Sequence, residues 1–348
     1  MSLVSSTVAL RRGPNSRGNL APVALFVYNR PEHTQKTVSC LQENKVAAQS
    51  DLFVFSDGPK DEAGAAAVQR VRRYIRAVQG FKSVTIFERE RNLGLASSVI
   101  AGITQLCHEF GRVIAMEDDL LTTGDFLTFM NQALDRYETE QRIFSVSGFN
   151  FAFHGPEQHA YDAFYFYRSS SLGWGTWKDR WEQADWTVSD YDSFCNDKEQ
   201  QRLFNRGGED LSYMLALQMH GKINSWAIRW AYTHFKQDAL ALLSLRPRVF
   251  HIGSDRAATN QRRNTFKQLP LTEERKSEFH FPDAARLEEH FVLALQESLR
   301  PSLARKLARY FLHGRIRLKT NRLDDAKLSP AKTVHSAPPE VTRRSLGD

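Results

Sequence analysis

The sequence predicts an α/β protein with a mostly parallel sheet that is covered by helices on both faces. In the first half of the chain, four short apolar runs alternate with helix-like segments. This alternation is typical of parallel sheets. Between two parallel strands the chain must cross back to the edge where the first strand began, and the crossover is usually a helix. The length of 348 residues and the 41% hydrophobic content allow a substantial core.

The first predicted strand lies in residues 22–29 and is followed by Pro31, which suits the first turn of a helix. A second strand in residues 51–58 ends in a turn, and a helix rich in Ala, Val and Arg then runs to about Val78. The alternation continues with a strand, a long helix and a fourth strand, in residues 83–90, 92–110 and 111–119.

The second half is richer in aromatic residues, as in residues 162–181 and 223–235, and its strands are expected to be short. Trp and Tyr beside Arg indicate a groove with polar contacts, since aromatic faces stack on sugars and bases. The same side chains also fill ordinary cores, and for any single Trp the core is the favoured interpretation.

Both ends of the chain, residues 1–20 and 324–348, are expected to be disordered. Residues 301–348 hold 11 Lys and Arg against 4 Asp and Glu, so the net charge of +7 lies in this segment. A basic amphipathic helix predicted over 299–322 either touches an anionic membrane or docks on its own domain. With three scattered cysteines and no apolar run of about 18 residues, a cytoplasmic protein is expected, with peripheral contact at the inner membrane face left open.

Several polar residues follow the ends of the predicted strands: Asn29, Arg30, Asp57, Asn92 and the acids Glu117, Asp118 and Asp119. Ligands of such sheets bind outside the carboxyl ends of the strands, so these side chains are expected to converge. No glycine-rich phosphate loop is present.

The three consecutive acids favour a hard divalent cation, Mg²⁺ or Mn²⁺, which prefers oxygen ligands and substrate phosphates. Strand alternation is expected to send Glu117 and Asp119 to one side and Asp118 to the other. The alternative, stabilisation of acids by the dipole of the following helix, explains Asp125 but explains Glu117 and Asp118 poorly.

These segments together carry a family resemblance. The chain resembles nucleotide-sugar glycosyltransferases of GT-A fold in four motifs. These are a strand that opens into NRP, a second strand that ends in SDG, the NLGLASS helix and the EDDL motif. More narrowly, residues 21–260 are similar to family-2-like bacterial sugar transferases and to the N-acetylglucosaminyltransferase I family. The resemblance implies a nucleotide-sugar-binding half (21–145), an acceptor half of the same domain (146–262) and a C-terminal helical extension (263–323).

The resemblance also implies roles for the acids. Asp119 would bind the cation that bridges the two phosphates, Asp118 would meet the ribose, and Glu117 would meet the transferred sugar. Asp57 would accept a hydrogen bond from the base, which favours uracil.

Three other residues are placed with the donor by the same resemblance. Arg30 would approach the diphosphate, Asn29 would meet the base or the ribose, and Asn92 would belong to the same nucleotide-sugar site.

A base is needed for transfer to a hydroxyl. The resemblance places it at Asp210, with Glu209 as the alternate, at the start of a helix where acids are also common caps. Arg168, Trp174 and Trp177 would line the pocket for the donor sugar and the acceptor. The resemblance implies that residues 251–260 form a loop that would close over the nucleotide. Residues 256–258 depart from the pattern of the relatives in this loop. Whether His251 contacts the metal is therefore left open.

The sequence thus predicts a metal-dependent, inverting glycosyltransferase that moves a sugar from a nucleotide diphosphate, with UDP favoured, to a glycan or lipid-linked acceptor in bacterial polysaccharide biosynthesis. Two alternatives remain open at this point. One is a nucleotidyltransferase of related fold, although FVYNRPEH lacks the expected glycine-rich loop. The other is a degenerate carbohydrate-binding protein without turnover. A nucleic-acid partner is not expected, because the body of the chain is neutral.

Overall fold

The computed structural model describes residues 19–151, 153, 156, 158–253, 268–283 and 285–300. The strands in this part of the chain are β1 (Val23–Val27), β2 (Asp51–Ser56), β3 (Ser83–Glu88), β4 (Arg112–Glu117), β5 (Leu120–Thr122), β6 (Ile143–Ser147), β7 (Ala163–Phe166), β8 (Trp174–Trp177), β9 (Leu240–Ser244) and β10 (Val249–His251). The helices are α1 (Pro31–Gln42), α2 (Glu62–Ile75), α3 (Leu95–Phe110), α4 (Phe126–Arg136), α5 (Lys178–Trp181), α6 (Tyr191–Asn196), α7 (Lys198–Phe204), α8 (Leu211–Met219), α9 (Trp226–Lys236) and α10 (Glu289–Ser298).

Eight strands form one sheet in the order β3-β2-β1-β4-β8-β6-β9-β7. Strands β3, β2, β1 and β4 are parallel, and β6 and β9 pair in parallel further along. Only β8 and the edge strand β7 run antiparallel to their neighbours. The predicted mostly parallel sheet is confirmed. A separate antiparallel pair, β5 with β10, links the segment after β4 to the segment after β9.

Helices cover both faces of the sheet, which explains why the strand sequences are continuously apolar. Alternate residues of β1 belong to two different clusters: Val23 and Leu25 pack with α1, α2 and α4, whereas Ala24 and Phe26 pack with α3 and α9. A third cluster joins α6, α7, α8 and α9 beside the sheet.

The four predicted strands of the first half are confirmed, with boundaries that shift by a few residues. The helix expected from residue 92 begins at Leu95, because Gly94 immediately before it adopts a φ of +77°, which lies outside the helical range. The helix expected to run to about Val78 ends at Ile75.

Several expectations concern residues outside the described ranges: the terminal segments 1–18 and 324–348, most of the basic helix 299–322, and residues 254–260 of the expected loop. The helical extension expected over 263–323 is described only in part, and α10 lies in it. Within the described residues, no helix has both the length and the apolar character needed to cross a membrane.

Candidate active site

A cavity of about 580 Å³ opens at the carboxyl ends of β1, β2 and β4. Eight of the predicted site residues line it: Asn29, Arg30, Asp57, Asn92, Glu117, Asp118, Asp119 and Arg168. The topology explains this convergence, because parallel strands deliver their carboxyl ends to one edge. The size and the mixture of apolar walls with a few polar groups are typical of a small-molecule site.

The three acids share this cavity because the strand ends among them. β4 stops at Glu117, and Asp118 and Asp119 form a turn before β5. Asp118 Oδ2 accepts a hydrogen bond from the backbone N–H of Tyr28 at 3.1 Å. The expectation that strand alternation would send Asp118 away from its neighbours is therefore wrong, since alternation applies only within an extended strand.

Asp119 contacts two basic side chains. Its Oδ2 lies 3.0 Å from Arg30 Nη1 and 3.3 Å from His251 Nε2. Its Oδ1 is buried and has no hydrogen-bond partner among the described residues. The pairing of β10 with β5 sets His251 opposite Leu120, which places the imidazole beside Asp119. One carboxylate oxygen is therefore held by Arg30 and His251, while the other has no hydrogen-bond partner among the described residues.

Gly253 makes the closest backbone approach to this carboxylate. A Cβ at this position would lie 1.8 Å from Asp119 Oδ2 and 2.7 Å from His251 Nε2. Only glycine fits between the two side chains without moving them.

The three acids differ in their pKa values. Burial, reinforced by the neighbouring carboxylates, raises the pKa of Glu117 to about 8 and that of Asp118 to about 7. Burial acts in the same direction on Asp119, but the hydrogen bond and charge of His251, together with Arg30, hold the pKa of Asp119 below its usual value. The negative charge of the triplet is therefore concentrated on Asp119.

Asp57 is held by the loop that precedes α3. Its carboxylate accepts hydrogen bonds from the backbone N–H groups of Gly58, Leu93 and Gly94 at 2.9–3.2 Å. The amide of Asn92 donates to the carbonyl of Gly58 at 2.8 Å and joins the same two loops. These contacts fix the orientation of Asp57 at the cavity wall.

Arg168 lines the opposite part of the cavity and forms a bidentate ion pair with Asp210, through distances of 2.7 and 3.2 Å. Asp210 precedes α8 and is 9% exposed, whereas Glu209 points toward Arg300 at 3.9 Å. Gly208 allows the pair to form, because a Cβ there would lie 2.7 Å from Asp210 and 2.8 Å from Arg168. Of the two predicted acids, Asp210 contacts Arg168, a residue of the cavity wall.

Trp174 and Trp177 do not line the cavity, which corrects the expected pocket role. Both lie in β8, at 1% and 2% exposed. Trp174 stacks on Trp226 with ring centroids 5.0 Å apart, and Trp177 Nε1 donates to the carbonyl of Leu134. Their strand lies between β4 and β6 in the middle of the sheet, so their side chains fill the core instead.

Part of the cavity wall was not predicted. It comes from the first turns of α3 and α9, with Ser98, Ser225 and Trp226, and from Met214 in α8. Ser225 caps α9 by accepting a hydrogen bond from the N–H of Ile228, a signal visible in the SWAIRW stretch. No local sequence signal shows that this cap faces the strand ends, because that depends on the packing of α9 against α3.

Comparison with known sequences supports the resemblance. Residues 7–208 match the profile of the GNT-I family. The chain is 25% identical over 203 residues to the alpha-1,3-mannosyl-glycoprotein 2-beta-N-acetylglucosaminyltransferase of Arabidopsis thaliana. That alignment covers 54% of this chain and 45% of the plant protein, so the chain spans less than half the length of this relative.

Solved structures give weaker likenesses. S. aureus TarS 1-349 is 9% identical with a TM-score of 0.36, covering 67% of this chain and 61% of that one. The mannosyltransferase PcManGT from Pyrobaculum calidifontis, in complex with GDP-Man and Mn²⁺, is 16% identical with a TM-score of 0.27, covering 37% of each chain. Because both TM-scores are below 0.5, these two structures support no conclusion about this chain, and the family assignment rests on the profile match over residues 7–208.

Proposed function

Because the chain belongs to the GNT-I family, and has the mostly parallel sheet expected of the GT-A fold, we propose that it is a metal-dependent, inverting glycosyltransferase. The donor is a nucleotide diphosphate sugar, with UDP favoured, and the acceptor is a hydroxyl of a glycan or of a lipid-linked glycan. The observation that supports this proposal most is the single cavity that joins the acid triplet, Arg30 and Asp57 at the strand ends.

The residues present fit a hard divalent cation. Asp119 Oδ1 is a buried carboxylate oxygen without a partner among the described residues, and His251 Nε2 lies beside the same carboxylate. In the described part of the chain, no group of three or more His, Cys, Asp or Glu is arranged to hold a metal. A site with one or two protein ligands suits Mg²⁺ or Mn²⁺, which take their remaining ligands from phosphates and water. When bound, the cation would offset the negative charge of the departing diphosphate.

The donor-binding side follows from the fixed groups of the cavity. Asp57, oriented by three backbone amides, presents an acceptor that matches the ring N–H of uracil. Arg30 is 8% exposed and would contact the diphosphate, where a guanidinium stabilises charge that grows during transfer. Asn29 would meet the base or the ribose, Asp118 would meet the ribose, and Asn92 would support this loop.

The acceptor side is the wall that includes Arg168. In the proposed reaction the acceptor oxygen attacks the anomeric carbon, its proton passes to the Asp210 carboxylate, and the bond between that carbon and the diphosphate breaks. The oxygen enters on the face opposite the leaving group, so a single displacement inverts the configuration. Pairing with Arg168 fixes the orientation of the Asp210 carboxylate.

A thermal-shift screen of UDP, GDP, CMP, dTDP and the nucleoside triphosphates UTP and ATP, with and without Mn²⁺, tests this proposal. We expect UDP to raise the melting temperature only when Mn²⁺ is present. Stabilisation by nucleoside triphosphates without stabilisation by UDP would favour the nucleotidyltransferase alternative. If no nucleotide stabilises the protein, the transferase proposal fails and a non-catalytic binding protein becomes the better explanation.

A further inference from the structure

One wall of the cavity is formed by α8 and α9 and takes no part in the donor contacts described above. Six residues of these two helices line the cavity, and none of them carries a hydroxyl, an amide or a charged group. They are Leu211, Met214, Trp226, Ala227, Ile228 and Ala231. These six residues are called the apolar wall below. Apart from the indole N–H of Trp226, their side chains offer no strong hydrogen-bonding group to a ligand.

The apolar wall begins beside the proposed base. Asp210 immediately precedes α8 with helical backbone angles, and the backbone N–H of Met214 donates to its carbonyl at 2.9 Å. Residues four apart in a helix lie on the same face, so Met214 follows Asp210 along one side of α8. The carboxylate of Asp210 pairs with Arg168, which also lines the cavity. A molecule whose hydroxyl reaches Asp210 therefore has the apolar wall next to it.

The two helices that carry the apolar wall are held together. Leu211 and Ile228 belong to one buried cluster, against which Met214 packs. Gln218 of α8 accepts a hydrogen bond from the backbone N–H of Ser225 at 2.6 Å, and Ser225 in turn caps α9 through the N–H of Ile228. The apolar wall is thus formed before any ligand arrives.

A different segment supplies the polar part of this side of the cavity. Arg168 and the three consecutive serines at 169–171, which follow β7, line the cavity. The Ser170 hydroxyl accepts a hydrogen bond from the backbone N–H of Leu172 at 3.1 Å and keeps its own proton to donate. Groups that bind hydroxyls therefore come from the segment after β7, while α8 and α9 provide only apolar surface.

This division does not suit a ligand that is polar throughout. A sugar ring carries hydroxyls around its edge, and those buried against the apolar wall would lose water without gaining a partner, which costs free energy. Aromatic side chains can stack on sugar faces, but five of the six residues of the wall are aliphatic. An alkyl chain in the same place is removed from water at no such cost.

We propose that the apolar wall binds an aliphatic group of the acceptor. The acceptor is then an amphiphile, with its reactive hydroxyl at Asp210 and an alkyl chain between α8 and α9. The inference rests on the proposed function, because it takes Asp210 to be the base for an acceptor hydroxyl. A glycan without an apolar group would leave the apolar wall unfilled.

Saturation-transfer NMR on the full chain, with UDP and Mn²⁺ present, tests this subsite. The probes are n-octyl β-D-glucoside, kept below the concentration at which it forms micelles, and methyl β-D-glucoside, which has the same sugar without the chain. We expect the octyl glucoside to bind at least tenfold more tightly, because each buried CH₂ group adds to the affinity. The protons of its chain should receive more saturation than those of its sugar ring.

Met214→Gln and its matched control Met219→Gln locate the bound chain. Both methionines are half-buried residues of α8 that pack against the same cluster, but of the two only Met214 lines the cavity. We expect Met214→Gln to weaken octyl glucoside at least fivefold, because its amide would be buried against the alkyl chain. Met219→Gln should change this Kd less than twofold, and both variants should bind UDP as the wild type does.

Two further variants keep the test independent of how Met214→Gln folds. Met214→Leu retains an apolar side chain of similar volume and should bind octyl glucoside within twofold of the wild type. Ala227→Asn places an amide on the α9 side of the apolar wall, where the native residue is half-buried, and should weaken octyl glucoside as Met214→Gln does.

The aliphatic subsite is wrong if the two glucosides bind equally, if the sugar ring receives more saturation than the chain, or if Met214→Gln binds octyl glucoside as tightly as Met219→Gln. Calorimetric binding of UDP with Mn²⁺ to the same wild-type sample separates this failure from that of the proposed function. If UDP binds and octyl glucoside is not preferred, only the aliphatic subsite fails. If UDP does not bind, the proposed function fails, and the acceptor assignment fails with it.

Discussion

Arg168 holds Asp210 in a two-point ion pair at one wall of the cavity, with both carboxylate oxygens engaged. Both side chains are largely buried, at 7% and 9% exposed. A carboxylate in such a pair has a fixed direction, which an acid at an exposed helix start does not have. Arg168 comes from the segment after β7 and lines the cavity, and Asp210 lies just before α8, so the pair joins two segments that are far apart in the sequence.

The substitution Asp210→Asn tests the role of this residue as the base. The amide would keep one acceptor oxygen for Arg168 but could not take a proton, so we expect the transfer rate to fall by about 10²–10⁴-fold while the Kd of UDP changes less than about twofold. Transfer rate and calorimetric Kd are the measurements. Glu209→Gln is the control and should retain nearly full activity, because Glu209 faces Arg300. Equal loss of UDP binding and transfer in Asp210→Asn would remove its assignment as the base.

Gly253→Ala should disturb the cation site without touching the nucleotide loops. The added methyl would lie 1.8 Å from Asp119 Oδ2, so the carboxylate or the backbone must move. We expect Mn²⁺-dependent UDP binding to weaken by at least tenfold in a calorimetric titration. Gly64→Ala is the control for a glycine-to-alanine change elsewhere, because Gly64 lies in α2, is not among the positive-φ glycines, and its added Cβ would lie 3.2 Å from Asp61 Oδ1 and not near Asp119; Mn²⁺-dependent UDP binding should be unchanged. Unchanged Mn²⁺-dependent binding in Gly253→Ala would contradict the described geometry around Asp119.

His234 should make folding stability depend on pH. The imidazole is buried between Trp230 and Phe144, with Nδ1 at 2.9 Å from the Trp230 carbonyl and Nε2 at 2.9 Å from the Ser145 hydroxyl. Burial lowers its pKa to about 4 from 6.5, so the unfolded chain takes up a proton before the folded protein does. The stabilisation is complete above pH 6.5 and is lost as the pH falls toward 4, by about 2 kcal/mol at pH 5.

Urea unfolding at pH 7 and pH 5 measures this effect. Because other groups also titrate, the comparison is with His234→Gln, which cannot be protonated in this range. The wild type should lose about 2 kcal/mol more than the variant between the two pH values. An identical pH dependence in both proteins would show that His234 is not buried in its neutral form.

Trp177→Phe tests the placement of this residue in the core. The change removes the hydrogen bond to Leu134 and leaves a small cavity, so the free energy of unfolding should fall by about 2 kcal/mol. Calorimetric binding of UDP and the KM for the acceptor should stay within about twofold. Unchanged stability with a large rise in KM would restore the pocket role that the sequence indicated.

The sequence predicted the sheet and the part of the cavity at the strand ends because both depend on local patterns. Continuous apolar strands require a sheet covered on both faces, and a parallel sheet brings the residues after its strands to one edge. That argument placed Asn29, Asp57 and Glu117 in one cavity without any knowledge of tertiary contacts.

The rest of the cavity wall, and the core position of the tryptophans, could not be predicted in the same way. Trp174 lies in a strand inserted antiparallel between β4 and β6, and no local pattern distinguishes a buried aromatic residue there from one in a groove. Ser98 has an ordinary helix sequence around it, and its position in the cavity wall depends on the packing of α3 and α9. His251 reaches Asp119 only because β10 pairs with β5, a strand far away in the sequence.

Binding of UDP to the wild type and to Asp119→Asn, each measured by calorimetry with and without Mn²⁺, tests the central claim most directly. The proposed site predicts that the wild type binds UDP at least tenfold more tightly with Mn²⁺, and that Asp119→Asn loses this dependence while keeping its fold by circular dichroism. The assignment of this cavity as a metal-dependent nucleotide-sugar site would be contradicted if the wild type had the same Kd for UDP with and without Mn²⁺. It would also be contradicted if Asp119→Asn bound UDP with the same Mn²⁺ dependence as the wild type.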